Sequence, residues 1–141
     1  MIQRKQTLWL IIVAVTAFAT SRLVLFEGDL PNGTKLLFNF SSSLLSAIII
    51  IALGLLALLC LFLYKKRKLQ FKLSVFGLIF SIGFLFLEYY MTEDFKTDHS
   101  ILTGSYQLGA LLPVLMIVFF FLAARGIYRD EKLVKSMNRL R

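Results

Sequence analysis

Few residues in this chain could do chemistry, and they are scattered. The single histidine, His99, stands near Glu93, Asp94 and Asp98, a set that could gather a divalent cation. Their spacing fits no defined metal motif and one histidine falls short of a zinc site, so a solvated acidic loop is expected, with no metal. Cys60 is the only thiol; it can form no internal disulfide and reads as a small apolar packing residue. Glu88 closes an apolar run, where an ionisable group is a functional candidate by default. Arg22 occupies the matching end of another run, and the two are expected to pair across the rim of a helical bundle. The chain has no Ser–His pair, no paired Asp in its apolar runs, no His-Glu-x-x-His and no Gly-rich phosphate loop. No catalytic residue, cofactor or enzyme activity is therefore expected.

The remaining candidates are basic. One cluster is Lys65, Lys66, Arg67 and Lys68; the other is Arg129, Lys132, Lys135 and Arg139 near the C-terminus. A net charge of +8 often signals nucleic acid. Here the cations flank apolar runs and no separate soluble basic domain carries them. The expected partners are thus anionic lipid headgroups and a membrane protein, with no nucleic acid.

These candidates must be positioned by four apolar runs. Of the 141 residues, 58% are hydrophobic and the mean hydropathy is +0.78, against about 45–50% apolar in soluble domains. The excess gathers into Leu8–Phe26, Leu44–Tyr64, Leu73–Tyr90 and Gln107–Ala124. Each is long enough, at about 17–25 residues, to cross a bilayer. The expectation is a single all-α domain over 1–141, an integral membrane four-helix bundle. Ala17-Phe18-Ala19 also matches a signal-peptidase site, but apolar character resumes at Leu23–Phe26 and favours a retained first helix.

Orientation follows from the basic residues. Among the 16, only Arg22, Lys35 and Lys96 fall on the side where the first and third runs end. That side also holds six of the eight acids: Glu27, Asp29, Glu88, Glu93, Asp94 and Asp98. Both termini and the Lys65–Lys68 segment are therefore expected in the cytoplasm.

Smaller signals refine the picture. Pro31-Asn32-Gly33 marks a turn, and Ser41–Ser43 offer a cap for the second helix. Small residues recur on one stripe of each run: Ala14, Ala17 and Ser21; Ser43, Ala47, Gly54 and Ala57; Ser74, Gly77 and Ser81; Gly109 near Pro113. Such stripes mark helix–helix contacts in lipid. Pro113 is expected to kink the fourth helix. The tail, residues 125–141, winds into a basic amphipathic helix with Ile127, Leu133, Val134, Met137 and Leu140 on one arc. Gly126 would be the bend that releases it onto the membrane surface.

Three stretches together are familiar: Met1-Ile2-Gln3-Arg4, then Tyr106-Gln107-Leu108-Gly109, then a tail with Arg125-Gly126-Ile127, Asp130-Glu131-Lys132-Leu133-Val134, Ser136 and Arg139-Leu140-Arg141. In order and length the chain resembles the small four-helix inner-membrane proteins of Bacteroidota grouped as domain of unknown function 4293 (DUF4293). The resemblance implies a Gram-negative inner membrane and carries over no functional residue. The expected role is a non-catalytic accessory, scaffold or assembly subunit. The alternative is a small transporter or channel subunit, against which the runs offer only hydroxyls such as Thr16 and Ser81.

Overall fold

A computed structural model of the chain describes residues 5–30, 32–101 and 103–138. It is mostly helical: α1 Lys5–Thr20, α2 Leu44–Phe62, α3 Arg67–Asp98 and α4 Leu111–Asn138. Three short strands, β1 Val24–Asp29, β2 Lys35–Asn39 and β3 Thr103–Tyr106, form an antiparallel sheet of order β2-β1-β3. The helices pack in a closed ring, α1 against α2 and α4, and α3 against α2 and α4. The sheet sits at one end of the ring, and the basic connector between α2 and α3 at the other.

Of the four helices, α2, α3 and α4 are long and apolar enough to cross a membrane. Their outward faces expose large apolar side chains, among them Leu45, Ile48, Leu55, Ile79, Phe86 and Phe121, far more than a water-exposed surface carries. The first helix departs from expectation. Leu8–Phe26 is not one span: α1 stops at Thr20, a length of about 24 Å against a hydrocarbon core of about 30 Å. The hydroxyls of Thr16, Thr20 and Ser21 donate back to the carbonyls of Val13, Thr16 and Phe18 at 2.9, 2.7 and 2.7 Å, which weakens helix continuation. Val24, Leu25 and Phe26 then read as strand residues. They pair with β2 in the register Phe26↔Phe38 and Glu27↔Leu37, and with β3 through Glu27↔Ser105.

On α2 and α3 the small residues face neighbouring helices, whereas Gly109 lies against the β1 backbone at Val24 and Leu25 instead. Gly54 lies against Ala17, and Gly77 lies under Phe120 and Leu56. The turn joining β1 to β2 falls where Pro31-Asn32-Gly33 places it, with Gly33 at φ +75° and its N–H donating to Leu30 at 2.9 Å; Pro31 itself lies outside the described residues.

Other expectations change. The third run is longer than Leu73–Tyr90, because Met91–Asp98 has no Gly or Pro and continues α3 to 32 residues. The helix ends where Ser100 takes φ 50° and the Ile101 N–H returns to the Lys96 carbonyl at 2.9 Å. Pro113 lies in the first turn of α4, where its missing N–H has no intrahelical partner to lose and no kink is required. Ser43 is the N-cap of α2, but no side-chain bond caps the helix. Ser46 instead donates to the carbonyls of Phe40 and Ser43. Gly126 does not release a separate tail helix: α4 runs through it without a break. A Cβ there would meet the Gln6 side chain at 3.3 Å, so this glycine serves a close approach of α4 to α1.

Candidate functional site

Three groups of polar side chains stand out, one at each end and one inside. At the sheet end, the centre is Glu27 on β1. Its Oε1 accepts from the Lys35 ammonium at 2.6 Å and its Oε2 from the Gln107 amide at 2.9 Å. The hydrogen bond and charge of Glu27, with help from Asp29, hold the Lys35 ammonium above the usual lysine range. Nearby, Lys96 near the end of α3 pairs with Glu93 at 2.7 Å and lies 5.0 Å from the Phe26 ring and 5.1 Å from the Tyr106 ring. This cation–π seat ties α3 to the sheet. Glu27→Ala should lower stability by about 1–2 kcal/mol, since it removes one acceptor shared by two elements. Lys35→Ala, with its ammonium in solvent, should change much less. Thermal unfolding in detergent compares the two.

His99 belongs to this end as a cap. Its ring Nδ1 donates to the Phe95 carbonyl at 3.0 Å and its ring lies 4.5 Å from that of Phe95. Among the described residues no three His, Cys, Asp or Glu side chains gather as metal ligands.

The opposite end is basic. Lys65, Lys66 and Lys68 are exposed and Arg67 is half-buried. Arg129 and Lys132 are exposed on α4. The Phe71 and Tyr128 rings lie 5.9 Å apart, which brings the two clusters to the same end of the molecule. A shallow groove there is lined by Tyr128, Arg129, Lys132, Leu133 and Ser136. The side chain of Lys135, and Arg139 altogether, lie outside the described residues, as do the Met137 side chain and Leu140 of the expected apolar arc. Ile127 departs from that arc: it is fully buried in the ring, while Leu133 and Val134 stay 63% and 42% exposed.

The inner group lies on α3. Its buried residues are Gln70, Ser74, Gly77, Ser81, Phe84, Glu88 and Thr92, a single face at spacings of three and four. Most are polar. Near the basic end, the Gln70 amide donates to the Cys60 carbonyl at 3.0 Å and the Ser74 hydroxyl approaches the Cys60 sulfur at 3.8 Å. Cys60 therefore faces α3. Farther along, Ser81 donates to the Gly77 carbonyl at 2.7 Å and Thr92 to the Glu88 carbonyl at 2.8 Å. Gln70 Oε1 and Glu88 Oε2 are buried and accept no hydrogen bond.

Glu88 corrects the sequence reading twice. Its place at the end of an apolar run suggests access to headgroup water, yet it is only 4% exposed. It was also expected to pair with Arg22. Arg22 is exposed, and among the described residues no ion pair joins them. The reason is the sheet: once the chain leaves α1 at Thr20, Arg22 sits on the exposed link into β1, while Glu88 stays on the inward face of a helix that continues past it. The spacing of Gln70, Ser74, Ser81 and Glu88 on one helical face was the signal that could have shown this polar row.

Compared with known proteins, residues 2–140 match the family model described as a domain of unknown function, DUF4293. No curated protein matches, and no solved structure matches.

Proposed function

The chain belongs to the DUF4293 family, and from that premise we propose that it is a multi-pass inner-membrane protein serving as a non-catalytic accessory, scaffold or assembly subunit of a membrane complex. In this reading the ring of helices is a four-helix membrane bundle, the basic end faces the cytoplasm by the positive-inside rule, and the sheet lies at the outer interface. The short α1 crosses with the bilayer thinned around it, a cost of fractions of a kcal/mol per Å.

The observation that carries the role is the length and surface of α4. Its 28 residues span about 42 Å, beyond a hydrocarbon core of about 30 Å. The surplus projects at the basic end, where exposed Leu133 and Val134 stand near Arg129 and Lys132. Exposed apolar residues among cations fit both anionic headgroups and a partner protein. Two measurements test the reading. A cysteine at Lys66 should react with an impermeant maleimide only from the cytoplasmic side; reaction from outside intact cells would invert the topology. Mild-detergent purification should bring down one stoichiometric membrane protein, and the double variant Leu133→Asp, Val134→Asp should lose it. A chain that purifies alone, or a partner that the double variant still holds, would end the accessory reading.

A second reading, a small transporter or channel subunit, is favoured by the polar inner face of α3, since membrane pathways use polar groups turned into the bundle. Substrate-stimulated flux in liposomes carrying the chain alone separates it from the first.

A further inference from the structure

We propose that Glu88 is a proton-binding site inside the helical ring, closed on the sheet side by the Phe38-Asn39-Phe40 segment. This goes beyond the accessory role and does not depend on a partner.

The placement carries the inference. Phe84, Glu88 and Phe95 follow one another on α3 at helical spacings of four and seven. Phe40 rests on Phe84 with ring centroids 5.1 Å apart, and Phe38 rests on Phe95 at 4.7 Å. Residues 38–40 therefore run along α3 past Glu88 and bracket it with aromatic contacts on both sides. Phe38, Phe40 and Phe84 are all buried. A carboxyl under such a cover has lost its water.

Among the described residues nothing opposite supplies a counter-charge, and Arg22 is exposed with no ion pair to Glu88. The only ionisable group within α2 is Cys60, at the far end of the ring, and the ring portion of α4, residues 111–124, has none. In α1 no ionisable residue follows Lys5. In the sheet, Lys35 is held by Glu27, with Asp29 exposed beside them. Farther along α3, Lys96 is held by Glu93, while Asp94, Asp98 and His99 are exposed. Tyr89, Tyr90 and Tyr106 are exposed as well. An isolated carboxylate in such a place costs several kcal/mol, which it avoids by holding a proton or taking up a cation.

The surrounding polar atoms favour the proton. A metal cation needs several oxygen ligands, and among the described residues no three His, Cys, Asp or Glu side chains gather to supply them. Among the described residues Glu88 Oε2 is a buried oxygen that accepts no hydrogen bond. One proton on the carboxyl replaces an unmatched charge with a neutral group that can also donate. Opening of the 38–40 segment would then admit water and let the proton exchange.

The test uses the full chain in lipid nanodiscs and infrared spectroscopy. At neutral pH the wild type should show the C=O band of a neutral carboxyl, absent from Glu88→Gln and unchanged by added sodium chloride. In D2O the band should shift slowly, and Phe40→Leu should speed that exchange at least about tenfold by loosening the cover. A spectrum without a neutral-carboxyl band, or with one that survives Glu88→Gln, would overturn the proposal. A band that gives way to carboxylate on adding sodium would assign the site to a metal cation instead and likewise overturn it. Should Glu88→Gln fail to fold, dicyclohexylcarbodiimide on the wild type decides, because this apolar reagent modifies protonated carboxyls in apolar surroundings. Modification concentrated at Glu88 supports the site; modification absent from Glu88, or spread evenly over Glu93, Asp94 and Asp98, rejects it.

Discussion

Phe120→Ala should cost the fold about 3–5 kcal/mol, the largest loss expected from any single truncation in the ring. Phe120 is fully buried on α4. A Cβ placed on Gly77 of α3 would stand only 2.6 and 2.7 Å from its Cε1 and Cζ atoms, and 2.9 Å from Leu56 Cδ2 of α2. Gly77 is thus the hollow and Phe120 the side chain that fills it, at the junction of three helices. If the ring lies in lipid, as the proposed function has it, water exclusion contributes little and the loss is in dispersion contacts along the cavity wall. Gly77→Val is the mirror case and should cost about 1–3 kcal/mol by overpacking against a ring with nowhere to turn. The two should not add. With the phenyl gone the valine has room, so the double variant should be more stable than the sum of the single losses implies. Reversible unfolding in bicelles measures all three, and strict additivity would show that these residues do not meet.

Gly109→Val should be nearly as damaging, through a different mechanism. The nearest atoms to a Cβ at Gly109 belong to the β1 backbone: the Val24 carbonyl oxygen, then its carbon at 2.8 Å and the Leu25 nitrogen at 3.2 Å. Backbone cannot rotate aside as a side chain can. The 3-10 turn Leu108–Ala110 would have to lift off β1, taking with it the Gln107 N–H that donates to Leu25 at 2.9 Å. A loss of about 3 kcal/mol or more follows. Hydrogen exchange locates it: amides of Gln107 and of β1 should lose protection while the middle of α2 keeps its own. Gly83→Ala is the control, because nothing lies within 4 Å of a Cβ there. If Gly109→Val leaves the β1 amides protected, the turn is not seated on that strand as described.

Much of the molecule is legible in the order of residues. Four apolar runs become four helices because the hydrophobic run is itself the local signal, and the small residues at Ala17, Gly54, Gly77 and Ser81 mark where backbones approach. Charge placement is equally plain: the described members of both basic clusters gather at one end because they are encoded in the segments that meet at that end. The candidate site was half visible. Glu88 stood out by type, but its surroundings did not.

The sheet was invisible for identifiable reasons. Val24–Phe26 is apolar enough to extend the first run, so composition alone assigns it to the helix. Thr103–Tyr106 is exposed at every residue, leaving no alternation of buried and exposed positions to read. The pairing of β1 with β3 joins segments separated by α2 and α3, and no local propensity encodes a partner so distant.

Sequence by itself thus settled that four apolar helices form, that Ala17, Gly54 and Gly77 mark their close approaches, and which segments are basic, because each of these depends on side-chain type at short range. Tertiary structure alone decided that α1 ends early, that Arg22 and Glu88 stay apart, and that the Phe38 and Phe40 rings pack on α3. Those outcomes rest on strand pairing and aromatic contact between distant segments, and it is that contact which converts an acid near a helix end into one sealed from solvent.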